Sequence, residues 1–179
     1  MEKDKFIDQG IVICALEERD LEKAGNFASF SNSLVDEDAP VVMDSKISAE
    51  EERKWLEGRL AKVEDKKQIF LFAEKNGEVI GIASLGLDIG RRSHIGSFAI
   101  SIKSGYREIG LGSRLTEETI ERAKENLSGL KIIRLRVFGG NKPAISLYEK
   151  YGFREAARLP KQVSYKGELV DEVIMLLYV

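Results

Sequence analysis

The stretch from His94 to Asn126, HIGSFAISIKSGYREIGLGSRLTEETIERAKEN, changes its periodicity twice, and this constrains the fold more than any other feature of the chain. Phe98, Ile100 and Ile102 alternate with Ser97, Ala99 and Ser101, which predicts a strand with one apolar face and one small face. Further on the period becomes helical: Leu115, Thr119, Ile120, Ala123 and Leu127 share one arc, opposite Glu117, Glu121 and Lys124. Between strand and helix lies Arg107-Glu108-Ile109-Gly110-Leu111-Gly112. Glycines there allow a tight turn whose N–H groups join the positive end of the helix dipole, which makes a phosphate cradle. Two glycines one residue apart also serve any turn that needs positive φ, so the loop alone leaves both readings open. Two other phosphate motifs are excluded: no G-x-x-x-x-G-K-[ST] occurs, and G-x-G-x-x-G fails at Leu115.

A chain of 179 residues, 43% hydrophobic, is long enough for one domain with a real core, expected to span 1–179. With 28 basic and 30 acidic residues the net charge is -2, so no global field recruits nucleic acid, and no aromatic and basic strand motif for RNA is present. Cys14 is the lone cysteine and His94 the lone histidine, which removes disulfide frameworks and the usual zinc constellations, so no metal is expected. Cys14 lies in an apolar run and reads as a small buried hydrophobe. MEKDKFIDQG contains no apolar signal region and no run reaches membrane-span length, which gives the expectation of a cytoplasmic protein with no membrane partner.

Ile11–Leu16 reads as a buried strand, with Asp20 placed to cap a following helix. Residues 26–43 lose periodicity and read as an exposed loop. Ser48 and Glu51 form a capping box ahead of a stripe of Trp55, Leu56, Leu60 and Val63. Seven acids between residues 36 and 52 face one base, Lys46, and read either as a solvated face or as an acidic rim that attracts a cationic amine. Residues 69–74 and 78–87 form a hairpin across Asn76-Gly77. After the central helix, Lys131–Phe138 predicts a strand reached by a right-handed parallel crossover, then a short helix over 144–151 and a terminal hairpin turning at Lys166-Gly167. The order is α+β with a mixed sheet.

Two segments then stand together: Arg107-x-x-Gly110-x-Gly112 and Asn141-x-x-Ala144-x-x-Leu147-Tyr148-Glu149-Lys150-Tyr151-Gly152-Phe153. Together they resemble the GNAT superfamily of acetyl-CoA-dependent N-acetyltransferases, with its pyrophosphate motif [Q/R]-x-x-G-x-[G/A] and its N-x-x-A-x-x-L-Y-E-K-x-G-F signature. Glu17–Leu21, Ser48–Leu56 and Asp171 with Met175 extend the likeness over essentially the whole chain, towards the ribosomal-protein and amino-acid acetyltransferase branches. Glu108 stands where many members carry glycine, and Ser104 where many carry proline.

The resemblance implies an acyl-CoA N-acyltransferase fold, a mostly antiparallel mixed sheet of about seven strands with helices on both faces. It implies acetyl-CoA as acetyl donor. The backbone N–H groups of Arg107, Glu108, Ile109, Gly110, Leu111, Gly112 and Ser113 would hold the pyrophosphate, and the backbone around Ile100 and Ile102 would pair with the pantetheine arm. Asn141 would contact coenzyme A, and Tyr148 would protonate the departing thiolate, with Tyr151 the weaker candidate. His94 stands in the register where some branches place a general-base glutamate, and imidazole titrates in a suitable range; Asp88, Glu74 or a water chain are the alternatives. The implied reaction is direct attack by a primary amine in a ternary complex, the acceptor being an amino acid, a polyamine or a protein N-terminus. The alternative is a noncatalytic CoA-binding regulatory module of the same fold. Small-molecule or peptide amines are the expected partners, and the sequence allows a homodimer.

Overall fold

In a computed structural model, which describes Phe6 and residues 9–179, seven strands form one sheet in the order β1-β2-β3-β4-β5-β7-β6. The strands are β1 (Ile11–Ala15), β2 (Gln68–Lys75), β3 (Glu78–Leu87), β4 (Ile95–Ile102), β5 (Ile132–Phe138), β6 (Arg154–Tyr165) and β7 (Glu168–Tyr178). All neighbours are antiparallel except β4 and β5, which the helix between them forces into the parallel crossover its sequence predicts. At the β2–β3 turn Asn76 and Gly77 both take positive φ, as the type I′ geometry of that dipeptide requires.

Two apolar clusters cover the two faces. On one, α1 (Ala24–Asp36) and α2 (Ala49–Glu64) bury Phe27, Phe30, Leu34, Leu56 and Leu60 against Phe70 and Phe72. On the other, α3 (Leu111–Asn126) and α4 (Lys142–Lys150) pack on Ile80, Ala83, Leu85, Phe98, Ile133 and Leu135. Each fully buried aromatic or leucine contributes about 2 kcal/mol of apolar transfer, so the clusters tie four helices to the sheet.

Residues 26–43 correct the reading of an exposed loop, because most of that segment belongs to α1. Phe27, Phe30 and Leu34 bury one narrow stripe, while Asn26, Ser29 and Ser33 carry polar groups that bond to nearby carbonyls and disguise the period. Trp55 also departs from its stripe. It is 42% exposed, lies edge-on to Phe70 and carries Arg59 over its ring, and the buried stripe of α2 runs instead through Glu52, Leu56 and Leu60.

Candidate functional site

The loop between β4 and α3 takes positive φ at three residues, Gly105, Glu108 and Gly110. Gly110 caps α3 at φ 94, where a side chain would be strained, so glycine is required. Gly112 has ordinary φ, and an added Cβ would meet Leu147 at 3.5 Å, an ordinary contact, so alanine would fit there. Glu108 takes φ 62, which explains why it departs from glycine only at a cost. Its side chain is exposed.

From Arg107 to Ser113, seven consecutive backbone N–H groups have no acceptor among the described residues; pairing resumes at Arg114, whose N–H donates to the Gly110 carbonyl. Each unpaired donor is a binding group in waiting, and the α3 dipole adds positive potential at the helix end that they lead into. Lys150 brings its ammonium to 3.5 Å from Ser113 Oγ, a cation at this helix end that the motif reading did not single out. This donor set suits a diphosphate. The Arg107 side chain is engaged elsewhere: its Nε donates to the Ile102 carbonyl at 2.9 Å, and its guanidinium pairs with Glu37.

Next to the loop the sheet opens. Pairing between β4 and β5 covers only Ile95↔Ile132, Gly96↔Ile133 and Ser97↔Arg134, and beyond it the strands part. Backbone direction along β4 alternates: the His94 carbonyl accepts from Lys131 and Ile132 on the β5 side, whereas the Ile95 carbonyl accepts from Asp88, and Lys103 donates to Ile80, on the β3 side. The even-numbered Ile100 and Ile102 therefore turn their backbone groups into the gap. Arg107 already occupies the Ile102 carbonyl, which leaves both groups of Ile100 and the N–H of Ile102 for a ligand. At the closed end, Asp88 accepts from Arg134 Nη2 at 2.8 Å and from Ser97 Oγ at 3.1 Å, which holds β3, β4 and β5 together at the last paired residues.

Tyr148 is 6% exposed beneath this gap, its ring edge-on to Phe98 at 6.2 Å and to Phe153 at 5.9 Å. Burial pushes its phenol up to about 12, so it keeps its proton at neutral pH. Tyr151 is committed to structure, its hydroxyl donating to the Ser113 carbonyl at 2.8 Å. Asn141 caps α4, accepting from the Ala144 N–H at 3.3 Å. His94 is not brought to this site. It precedes β4 at the closed end, and six residues of extended chain put it roughly 20 Å from Ile100. Asp88 is locked to Arg134 and Ser97, and Glu74 takes Lys23 at 2.9 Å, so neither alternative base is free.

The mouth of the gap is framed by contacts between distant segments. Arg107 holds Glu37, the Asp38 carbonyl accepts from the Tyr165 hydroxyl at 2.8 Å, and the Tyr165 ring lies 5.3 Å from Phe138 at the end of β5. The acids of this region are largely paired, Asp36 with Lys46, Glu37 with Arg107 and Asp38 with Lys166, which argues against a free acidic rim. Among the described residues no cluster suited to a metal ion occurs, and no helix is long and apolar enough to cross a membrane.

The chain is similar to known proteins in sequence and in fold. The sequence profile described as "Acetyltransferase (GNAT) family" matches residues 32–153, from α1 to the end of the second signature. The chain is 37% identical over 103 residues to the L-amino acid N-acetyltransferase AaaT of Escherichia coli, a match covering 56% of the chain and 62% of that protein. It is 32% identical over 112 residues to an N-alpha-acetyltransferase of Sulfolobus acidocaldarius, covering 56% and 64%. Both matches span less than two thirds of the relative. A solved acetyltransferase of the GNAT family from Streptococcus pneumoniae superposes over 94% of the chain and 99% of its own length, with TM-score 0.82 and 29% identity.

Proposed function

The chain belongs to the acetyltransferase (GNAT) family, and on that premise we propose that it moves an acetyl group from acetyl-CoA to a primary amine. The observation that carries this reading is the junction of two features: seven N–H groups at the α3 N-terminus with no acceptor among the described residues, and a parted strand pair that turns the Ile100 and Ile102 backbone into the adjoining gap.

Acetyl-CoA, when bound, supplies an acetyl group already activated as a thioester. The N–H groups of Arg107 to Ser113 hold its diphosphate, with the α3 dipole and Lys150 adding charge. Ile100 and the Ile102 N–H hold the pantetheine arm as an added strand, and an N–H directed at the carbonyl oxygen stabilises the negative charge that gathers there. Arg107 fixes the end of β4, so the donors stand in place before the reaction begins.

Tyr148 serves at the leaving group. Its phenol, held protonated by burial, donates a hydrogen bond from its hydroxyl to the developing thiolate. Because a thiol titrates at about 8.5, below this phenol, Tyr148 stabilises the developing thiolate through its hydrogen bond and keeps its own proton, and the proton that the attacking amine loses is the one that ends on the released sulfur. The test is transfer by the parent and by Tyr148→Phe, following thiol release and N-acetyl product. The phenylalanine variant should keep its KM for acetyl-CoA while kcat falls about 100-fold, the scale of general-acid catalysis. Equal kcat in both proteins would remove Tyr148 from the chemistry.

A further inference from the structure

Two arginines of β5, Arg134 and Arg136, share the sheet face opposite α3 and α4, and their surroundings differ in a way that bears on the acceptor. Arg134 lies at the last paired register, where Asp88 and Ser97 take its Nη2 at 2.8 and 3.3 Å. Arg136 is one step further along the same face, where β4 has already left β5; carrying the register forward places Ala99 opposite it across the gap. Its side chain is 60% exposed. Only one corner is committed, Nη1 donating to Glu172 Oε2 at 3.0 Å, while Nε and Nη2 make no hydrogen bond to the described residues.

Glu172 is no casual surface partner. Its side chain is 11% exposed on β7, where it faces Phe138 in register, and it draws the guanidinium of Arg136 towards the mouth framed by Phe138, Tyr165 and Asp38. A guanidinium fixed at one corner presents its remaining N–H groups as a preset fork, the geometry that accepts a carboxylate through two parallel hydrogen bonds. Across the gap, Ala99 is small and exposed, so nothing on β4 fills the space in front of it. The fork therefore faces the strip where, on the reading above, the acetyl group would emerge between Ile100 and the gap.

We propose that Arg136 anchors the carboxylate of the acceptor, so that the favoured acceptors are free α-amino acids rather than polyamines or peptide N-termini, whose α-amines carry no adjacent carboxylate. Glu172 is the positioning residue for that anchor. The inference rests on the acetyl-transfer reading, and its test separates the two. The parent, Arg136→Gln and Arg136→Lys are assayed with acetyl-CoA on matched pairs: an amino acid, its methyl ester, and the amine left when the carboxyl is removed.

Loss of a charge-assisted fork predicts that Arg136→Gln raises KM for the amino acid roughly 10- to 100-fold while kcat and the KM for the ester change little. The lysine variant should recover part of the loss, since it restores charge without the fork. Glu172→Gln should weaken amino-acid KM less than Arg136→Gln does and leave KM for acetyl-CoA unchanged. If the parent acetylates ester and acid with equal KM, or if Arg136→Gln raises both alike, the anchor is overturned while acetyl transfer stands. If the parent releases thiol with none of the amines, both readings fall together.

Discussion

Glu52 offers the sharpest physical test of how α1 and α2 pack on each other. It sits in α2, is 2% exposed, and belongs to the face that packs on α1, with the Ser31 hydroxyl of α1 favouring its charged form. Burial pushes its carboxyl up from 4.5 to about 7, and the Ser31 hydroxyl nearby offsets this only in part. The folded protein thus favours the neutral form and binds a proton that the unfolded chain has released. Stability from this group is fully present below the unfolded value and is lost as pH rises through about 7. A displacement from 4.5 to about 7 corresponds to a ceiling of about 3 kcal/mol.

Glu52→Gln keeps the shape and stays neutral, so it should remove this dependence. Urea unfolding at pH 5 and pH 8 reads it directly, because the difference between parent and variant cancels every other titrating group. The parent should lose about 2–3 kcal/mol relative to the variant between these two pH values, leaving the variant the more stable protein in the alkaline range. A parent-to-variant difference that stays constant with pH would refute the reasoning and place the carboxylate in contact with water or with a cation.

Two further outcomes follow from the site. His94→Gln should leave the pH profile of transfer unchanged, because the imidazole lies at the closed end of the β4–β5 pair, and a lost acidic limb in the variant would return the histidine to the reaction as its base. Glu108→Gly should relieve the positive φ and remove an anion beside the diphosphate, lowering KM for acetyl-CoA a few-fold, about 1 kcal/mol, with kcat preserved.

What the sequence revealed and what it hid divide along physical lines. Local rules read well: Asn76-Gly77 specified its hairpin, Ser48 and Glu51 their capping box, and the α3 stripe of Leu115, Thr119, Ile120 and Ala123 is buried as its period predicts. The loop became specific only when Gly110 and Gly112 were joined to the Asn141–Phe153 signature. The parting of β4 from β5 was hidden, because the end of a ladder is a tertiary property and neither strand signals it in isolation. Arg136 and Glu172 meet across two strands, at a sequence separation no local pattern spans. Glu52 hid inside an acidic run that reads as a solvated face, and only the packing of α2 on α1 shows which carboxyl turns inward. His94 was drawn to the site by its place in a strand, and the closed end of the ladder is where that strand begins.

The central claim is that the Arg107–Ser113 amides and the parted β4 edge together hold the acetyl donor. Hydrogen–deuterium exchange with and without coenzyme A measures it directly. Protection should rise in the Arg107–Ser113 amides and at Ile100 and Ile102, with the paired end of β4 at Ile95 to Ser97 unchanged. Protection that falls on another surface, with these amides exchanging as before, would contradict the account.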